Sequence, residues 1–154
     1  MKLFQIEEPD GTSLDPDAPG AAVGIDVVAL GGAVAIAVGG NPEILPGTDG
    51  ARWLEAEGLV PSDKHFDERV LTGLLRDLRG RGEKQLARPV THAVITADPF
   101  DEAALESAAE AAGLGVLRLL DRMRAAERAK GAPVAEAPVL GAAIEAEELA
   151  PPAA

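Results

Sequence analysis

The sequence has no cysteine and no tyrosine, and only one tryptophan, three phenylalanines and two histidines among 154 residues. Without cysteine there is no disulfide, no thiolate nucleophile and no sulfur ligand for zinc or an iron–sulfur cluster. The two histidines, His65 and His92, lie far apart in the chain. Basic charge is scarce as well: 14 Lys plus Arg against 26 Asp plus Glu leave a net charge of −12. The acidic excess falls in residues 1–50 and 99–154, while residues 51–98 balance. No segment therefore carries the basic patch that a phosphate backbone requires, and neither nucleic acid nor an anionic membrane is an expected partner. The longest uncharged run, Val27 to Pro42, is broken by two Gly-Gly pairs and falls short of the roughly 20 apolar residues of a spanning helix. Glu7 and Glu8 stand where an export signal needs its apolar stretch, so the expected location is the cytoplasm.

What is present is aliphatic. Apolar residues make up 47% of the chain, many of them alanine, which predicts a thin aliphatic core in a single domain. Residues 1–20, rich in Asp, Pro and Gly, are expected to be a flexible lead-in, residues 21–149 the domain, and residues 150–154 a frayed tail. Val23 to Leu30 and Ala33 to Val38 read as a hairpin turning at Gly31-Gly32, with Glu43-Ile44-Leu45 as a third strand. Phe66, Val70, Leu71, Leu74, Leu75 and Leu78 recur at helical spacing, and Gly80-Arg81-Gly82 is expected to weaken or end that helix. His92 to Ala97 reads as a buried strand, and Asp98 or Asp101 can cap a helix running to Ala112. A strand from Val116 to Leu120 and helices over Asp121 to Lys130 and Pro138 to Leu149 complete the chain. The order β-β-β-α-β-α-β-α-α predicts an α/β fold, a mixed sheet with helices packed on it, because parallel crossovers need helices.

Gly24-Ile25-Asp26-Val27, Val94-Ile95-Thr96, Ala112 to Leu120 and Leu140 to Glu147 together resemble the DnaK/HscA heat-shock chaperone (Hsp70) family. The first is similar to the start of its first phosphate loop, Gly-Ile-Asp-Leu-Gly-Thr-Thr-Asn-Ser. Val94-Ile95-Thr96 and Ala112-Gly113-Leu114-Gly115-Val116-Leu117-Arg118-Leu119-Leu120 resemble two later strands of its ATPase domain. Leu140-Gly141-Ala142-Ala143-Ile144-Glu145-Ala146-Glu147 is similar to the helix that closes that domain, and Leu3-Phe4-Gln5-Ile6-Glu7-Glu8-Pro9 to the opening of HscA, the variant serving iron–sulfur cluster assembly. These blocks cover about half of the chain. The resemblance implies one subdomain of the ATPase, a ribonuclease-H-like mixed sheet, without the second phosphate loop, the adenosine-binding lobe or the substrate-binding domain.

The chemistry implied by the resemblance is largely missing. An actin-like ATPase needs small residues and hydroxyls after the first Asp so that backbone amides can approach phosphates. Val28-Ala29-Leu30 stand where the family has Gly-Thr-Thr. Asp26 matches the position that holds Mg²⁺ through water, the one residue expected to serve if ATP and Mg were retained. The family's catalytic Glu falls at Arg122, a cation that cannot activate water. Arg118 matches an Arg that helps form the family's surface for its co-chaperone and linker, and with Arg122 and Arg124 it is expected to form a positive cluster for a protein partner. The resulting expectation is a pseudoenzyme without catalytic residues, metal or cofactor, acting through a protein partner or as a homodimer. The alternative is a reduced nucleotide-binding protein or weak ATPase. Trp53 is expected to cover core, His92 to be structural, Asp98, Asp101 and Glu102 to cap a helix, and Glu145, Glu147 and Glu148 to form a solvated face.

Overall fold

A computed structural model describes residues 20–151; the lead-in and most of the tail inferred from composition lie outside the described residues, as does the Leu3 to Pro9 block. The chain opens with β1 (Ala21–Val28) and β2 (Gly31–Val38), paired antiparallel with Val28 opposite Gly31. The two-residue turn is thus Ala29-Leu30, not Gly31-Gly32 as the sequence suggested. The glycines serve another purpose: they pair with β4 (Leu54–Glu55), and a Cβ on Gly31 would lie 2.0 Å from the Leu54 carbonyl oxygen. Between these elements β3 (Asn41–Ile44) pairs with the outer part of β2, so the expected third strand forms.

Asp67 opens α1 (Glu68–Leu86) by accepting from the backbone N–H groups of Arg69 and Val70. The helix runs through Gly80 and Gly82 to end at Ala87, which adopts φ 54° and donates its N–H to the Glu83 carbonyl. The expected break at Gly80-Arg81-Gly82 does not occur, because Gly82 is buried and lets the helix come close to β5 (Val90–Ala97). A Cβ at Gly82 would stand 3.1 Å from Val90 Cγ2. Asp101 caps α2 (Glu102–Ala111), and β6 (Gly115–Leu120) leads into α3 (Arg122–Glu127), capped by Asp121. The last element is α4 (Ala137–Leu149), with proline in its first turn.

The result is a six-stranded mixed α/β sheet in the order β3-β2-β1-β5-β6, with β4 attached to β2. β1, β2 and β3 are antiparallel, while β1, β5 and β6 are parallel and joined by the helical crossovers. The two faces differ in kind. One carries Val23, Ile25, Val27, Val34 and Ile36 against Leu71, Leu74, Leu75 and Leu78 of α1 and Leu105 of α2. The other presents Ala33, Ala35 and Ala37 to Val139, Leu140 and Ala143 of α4, with Ala22, Val94 and Leu120 beside Ala125, Ala142 and Ala146. The small residues bring α4 down almost onto the backbone of the sheet. A Cβ on Gly24 would lie 2.2 Å from the Ala143 amide nitrogen, and one on Gly141 1.6 Å from the Ala125 carbonyl oxygen. Among the described residues no helix is long and apolar enough to cross a membrane.

Because the obstruction at Gly141 is backbone, Gly141→Ala is expected to cost about 3 kcal/mol, at the upper end of overpacking effects. Gly73, inside α1 with nothing within 4 Å of a built Cβ, should instead gain about 0.5–1 kcal/mol as alanine, through lost backbone freedom in the unfolded chain. Urea midpoints of the two variants check both signs.

Candidate functional site

The row of residues Asp26, Thr96 and Leu120 runs across β1, β5 and β6 in register. All three face the small-residue side of the sheet or its edge, and the chain turns from Leu120 through Asp121 directly into α3. Asp121 accepts from the N–H groups of Met123 and Arg124 at 2.8 and 3.3 Å, which starts the helix at Arg122. That start sends the Arg122 side chain back over the row to Asp26. The guanidinium donates Nε to Oδ1 and Nη2 to Oδ2, both at 3.0 Å, a fork-on-carboxylate pair. Asp26 is fully buried, and about 30% of the Arg122 side chain is exposed.

Burial raises the Asp26 carboxyl above the usual carboxylate range, and the neighbouring charge of Asp98 adds to the rise. The bonds and charge of Arg122, with the Val27 N–H, pull the other way without cancelling the desolvation. Thr96 Oγ1, next in the row, is buried and has no hydrogen-bond partner.

Arg118, Arg122 and Arg124 do not form one open cluster. Arg122 is committed to Asp26, whereas Arg118 pairs with Glu145, which also receives Arg128; Arg128 in turn holds Glu148. This network ties β6 and the end of α3 to α4. Arg124 is exposed and makes no ion pair among the described residues. Arg118 and Arg124 do share a shallow cleft of about 780 Å³, together with Phe100, Asp121 and Glu127, and Arg122 lies outside it.

The acidic stretch of α4 is only in part the solvated face expected of it: Glu148 is exposed. Glu145 is buried between two arginines, and Glu147 accepts from the N–H groups of Gly39 and Gly40 at 2.6 and 2.8 Å, pinning the β2–β3 turn to the helix. Other side chains fill the structural roles read from the sequence. Asp101 caps α2 and also accepts from the Phe66 N–H, and His92 Nδ1 lies 2.8 Å from Thr91 Oγ1. Trp53 is half-buried against the α4 side of the core. Among the described residues no group of His, Asp and Glu is arranged to hold a metal ion.

A second feature, not expected from the sequence, adjoins the ion pair. Val28, Leu30, Trp53, Leu54 and Ala135 line a mostly apolar cleft of about 310 Å³ that Arg122 also borders. The Asp26–Arg122 contact joins two residues that the sequence singles out separately, but nothing in the chain pairs them. The cleft has no signal in the sequence, because β4 is only two residues long. No protein-family model matches the chain.

The pair sets the pH response. With the native pKa of Asp26 raised above the unfolded value of about 3.9, the native state binds the proton more tightly. The contribution of Asp26 to stability is therefore fully present below about pH 4 and is lost as pH rises through the raised native value. Asp26→Asn removes that loss, so its stability relative to the parent should climb between pH 4 and 7. Arg122→Ala leaves the buried carboxylate unpaired and should cost about 3 kcal/mol at pH 7 and less at pH 4. Denaturant midpoints across this range check both trends.

Proposed function

We propose that the chain is a non-catalytic relative of the DnaK/HscA chaperones, built on a ribonuclease-H-like ATPase subdomain. On this reading it acts in the cytoplasm by binding protein, in chaperone action or in iron–sulfur cluster assembly. The fold part is supported by the mixed sheet, three antiparallel strands followed by two parallel crossovers with helices on both faces. The loss of catalysis is supported chiefly by one observation, the two-pronged grip of Arg122 on Asp26.

In the family that the sequence resembles, the position of Asp26 holds Mg²⁺ through water, which requires a carboxylate whose charge is not already neutralised. Here both oxygens accept from a guanidinium that stays charged at any accessible pH and repels a second cation. The residues present do not fit Mg²⁺, and no step is derived through it. The neighbouring surface is equally unsuited to phosphate: Val28 and Leu30 line an apolar cleft where backbone amides would have to approach a polyanion. With nucleotide chemistry set aside, what the surface offers is contact area.

Calorimetry with Mg-ATP is expected to show no binding tighter than about millimolar, a binding free energy of roughly −4 kcal/mol at most. Micromolar affinity would overturn the proposal in favour of a reduced nucleotide-binding protein or weak ATPase. The double variant Arg122→Glu with Val28→Gly should still give no ATP turnover in a phosphate-release assay, because positioning requires the second phosphate loop and the adenosine lobe as well.

A further inference from the structure

We propose that the cleft beside Arg122 binds a small organic cation, a protonated amine carried on an aromatic or aliphatic body. The inference is independent of the protein-binding reading above and adds a free ligand to it.

The walls set the body of that ligand. Val28 and Leu30 of the first hairpin, with Trp53 and Leu54 at β4, border about 310 Å³ of mostly apolar space, the small end of ligand cavities. A space of that size between a tryptophan and three aliphatic side chains suits a single ring or a short branched chain. Sheet pairing holds the walls together: Gly31 lies opposite Glu55 and Gly32 opposite Leu54, so the hairpin and β4 cannot part without breaking the sheet. A ligand entering the cleft therefore has little structure to order.

Charge sets the head group. Two ionic side chains line the cleft, Glu55 and Arg122. Arg122 adds no net charge, because its Nε and Nη2 donate to both oxygens of the buried Asp26. Glu55 is exposed and forms no ion pair among the described residues. The uncompensated charge at the cleft is thus one carboxylate. Trp53 and Glu55 also share a side of the chain. Leu54 between them packs against the α1 side of the core and Trp53 against the α4 side, so strand alternation returns Glu55 to the side of the tryptophan. An ammonium group placed there meets the carboxylate and the negative face of the indole together. The same carboxylate repels an anion, and a neutral group of equal shape gains only the apolar contact.

Trp53 is the sole tryptophan, so its emission, excited where a phenyl ring does not absorb, reports occupancy of the cleft. The probes are phenethylamine, which is protonated at neutral pH, phenethyl alcohol of the same shape, and phenylacetate. Phenethylamine is expected to change the emission saturably and to bind about fivefold or more tightly than phenethyl alcohol, with phenylacetate the weakest. Glu55→Gln should abolish that preference and leave the affinity of the alcohol unchanged. Leu30→Ser should weaken amine and alcohol alike, by about threefold, through lost apolar contact. Both side chains are exposed, so thermal melts of the two variants should match the parent and separate lost binding from lost folding. No saturable change with phenethylamine, equal affinity for the three probes, or an amine preference that survives Glu55→Gln overturns the proposal.

Discussion

A carboxylate buried at the centre of a sheet demands a cation, and the layout around Asp26 follows from that demand. An isolated charge there would cost several kcal/mol, so the only stable choices are a proton, a metal or a basic side chain. The basic side chain is supplied by the first residue of α3, which places Arg122 over Asp26 only because β1, β5 and β6 are aligned so that Asp26, Thr96 and Leu120 share a row. Asp121 then stops the strand and starts the helix within one residue. Register, cap and ion pair are thus three aspects of one arrangement. The same pair bonds both oxygens of Asp26 to a fixed internal cation.

The opposite requirement operates around α4, where specificity comes from the absence of side chains. Gly24 and Gly141 allow contact distances that no Cβ would tolerate, and Ala33, Ala35, Ala37 and Ala143 fill what remains. Such a contact gains little from each residue and depends on close fit over its whole length. Ionic straps reinforce it at both ends: Glu147 on the β2–β3 turn, and Glu145 with Glu148 on Arg118 and Arg128. An alanine-rich helix is held in place by a close steric fit and a few carboxylates rather than by a large apolar stripe.

The legible parts of the sequence were those where one local rule acts alone. The leucines of α1 announce their face, His92 to Ala97 reads as buried strand, and Asp101 stands where a cap is needed; each forms as expected. The errors come where tertiary contact overrides the local rule. Gly31-Gly32 looks like a turn and is instead a close crossing with β4, and Gly82 looks like a helix breaker and is instead a packing contact with Val90. Glu145 looks solvated because its two arginine partners lie 27 and 17 residues away. Of the site, Asp26 and Arg122 could each be singled out from the chain, but their partnership requires three strands in register. The apolar cleft could not be read at all, since it is assembled from a turn, a two-residue strand and the approach to α4.

The central claim is that Arg122 and Asp26 act as one unit, a cation supplied by the chain itself. A double-mutant cycle on stability, with Asp26→Asn, Arg122→Gln and the combined variant measured at pH 7, addresses it most directly. The account predicts strong coupling, about 1.5 kcal/mol or more, with Arg122→Gln alone costly and much of that loss recovered when Asp26→Asn is added. Additive effects, equal within about 0.5 kcal/mol to the sum of the single changes, would contradict it and leave Asp26 open to another cation.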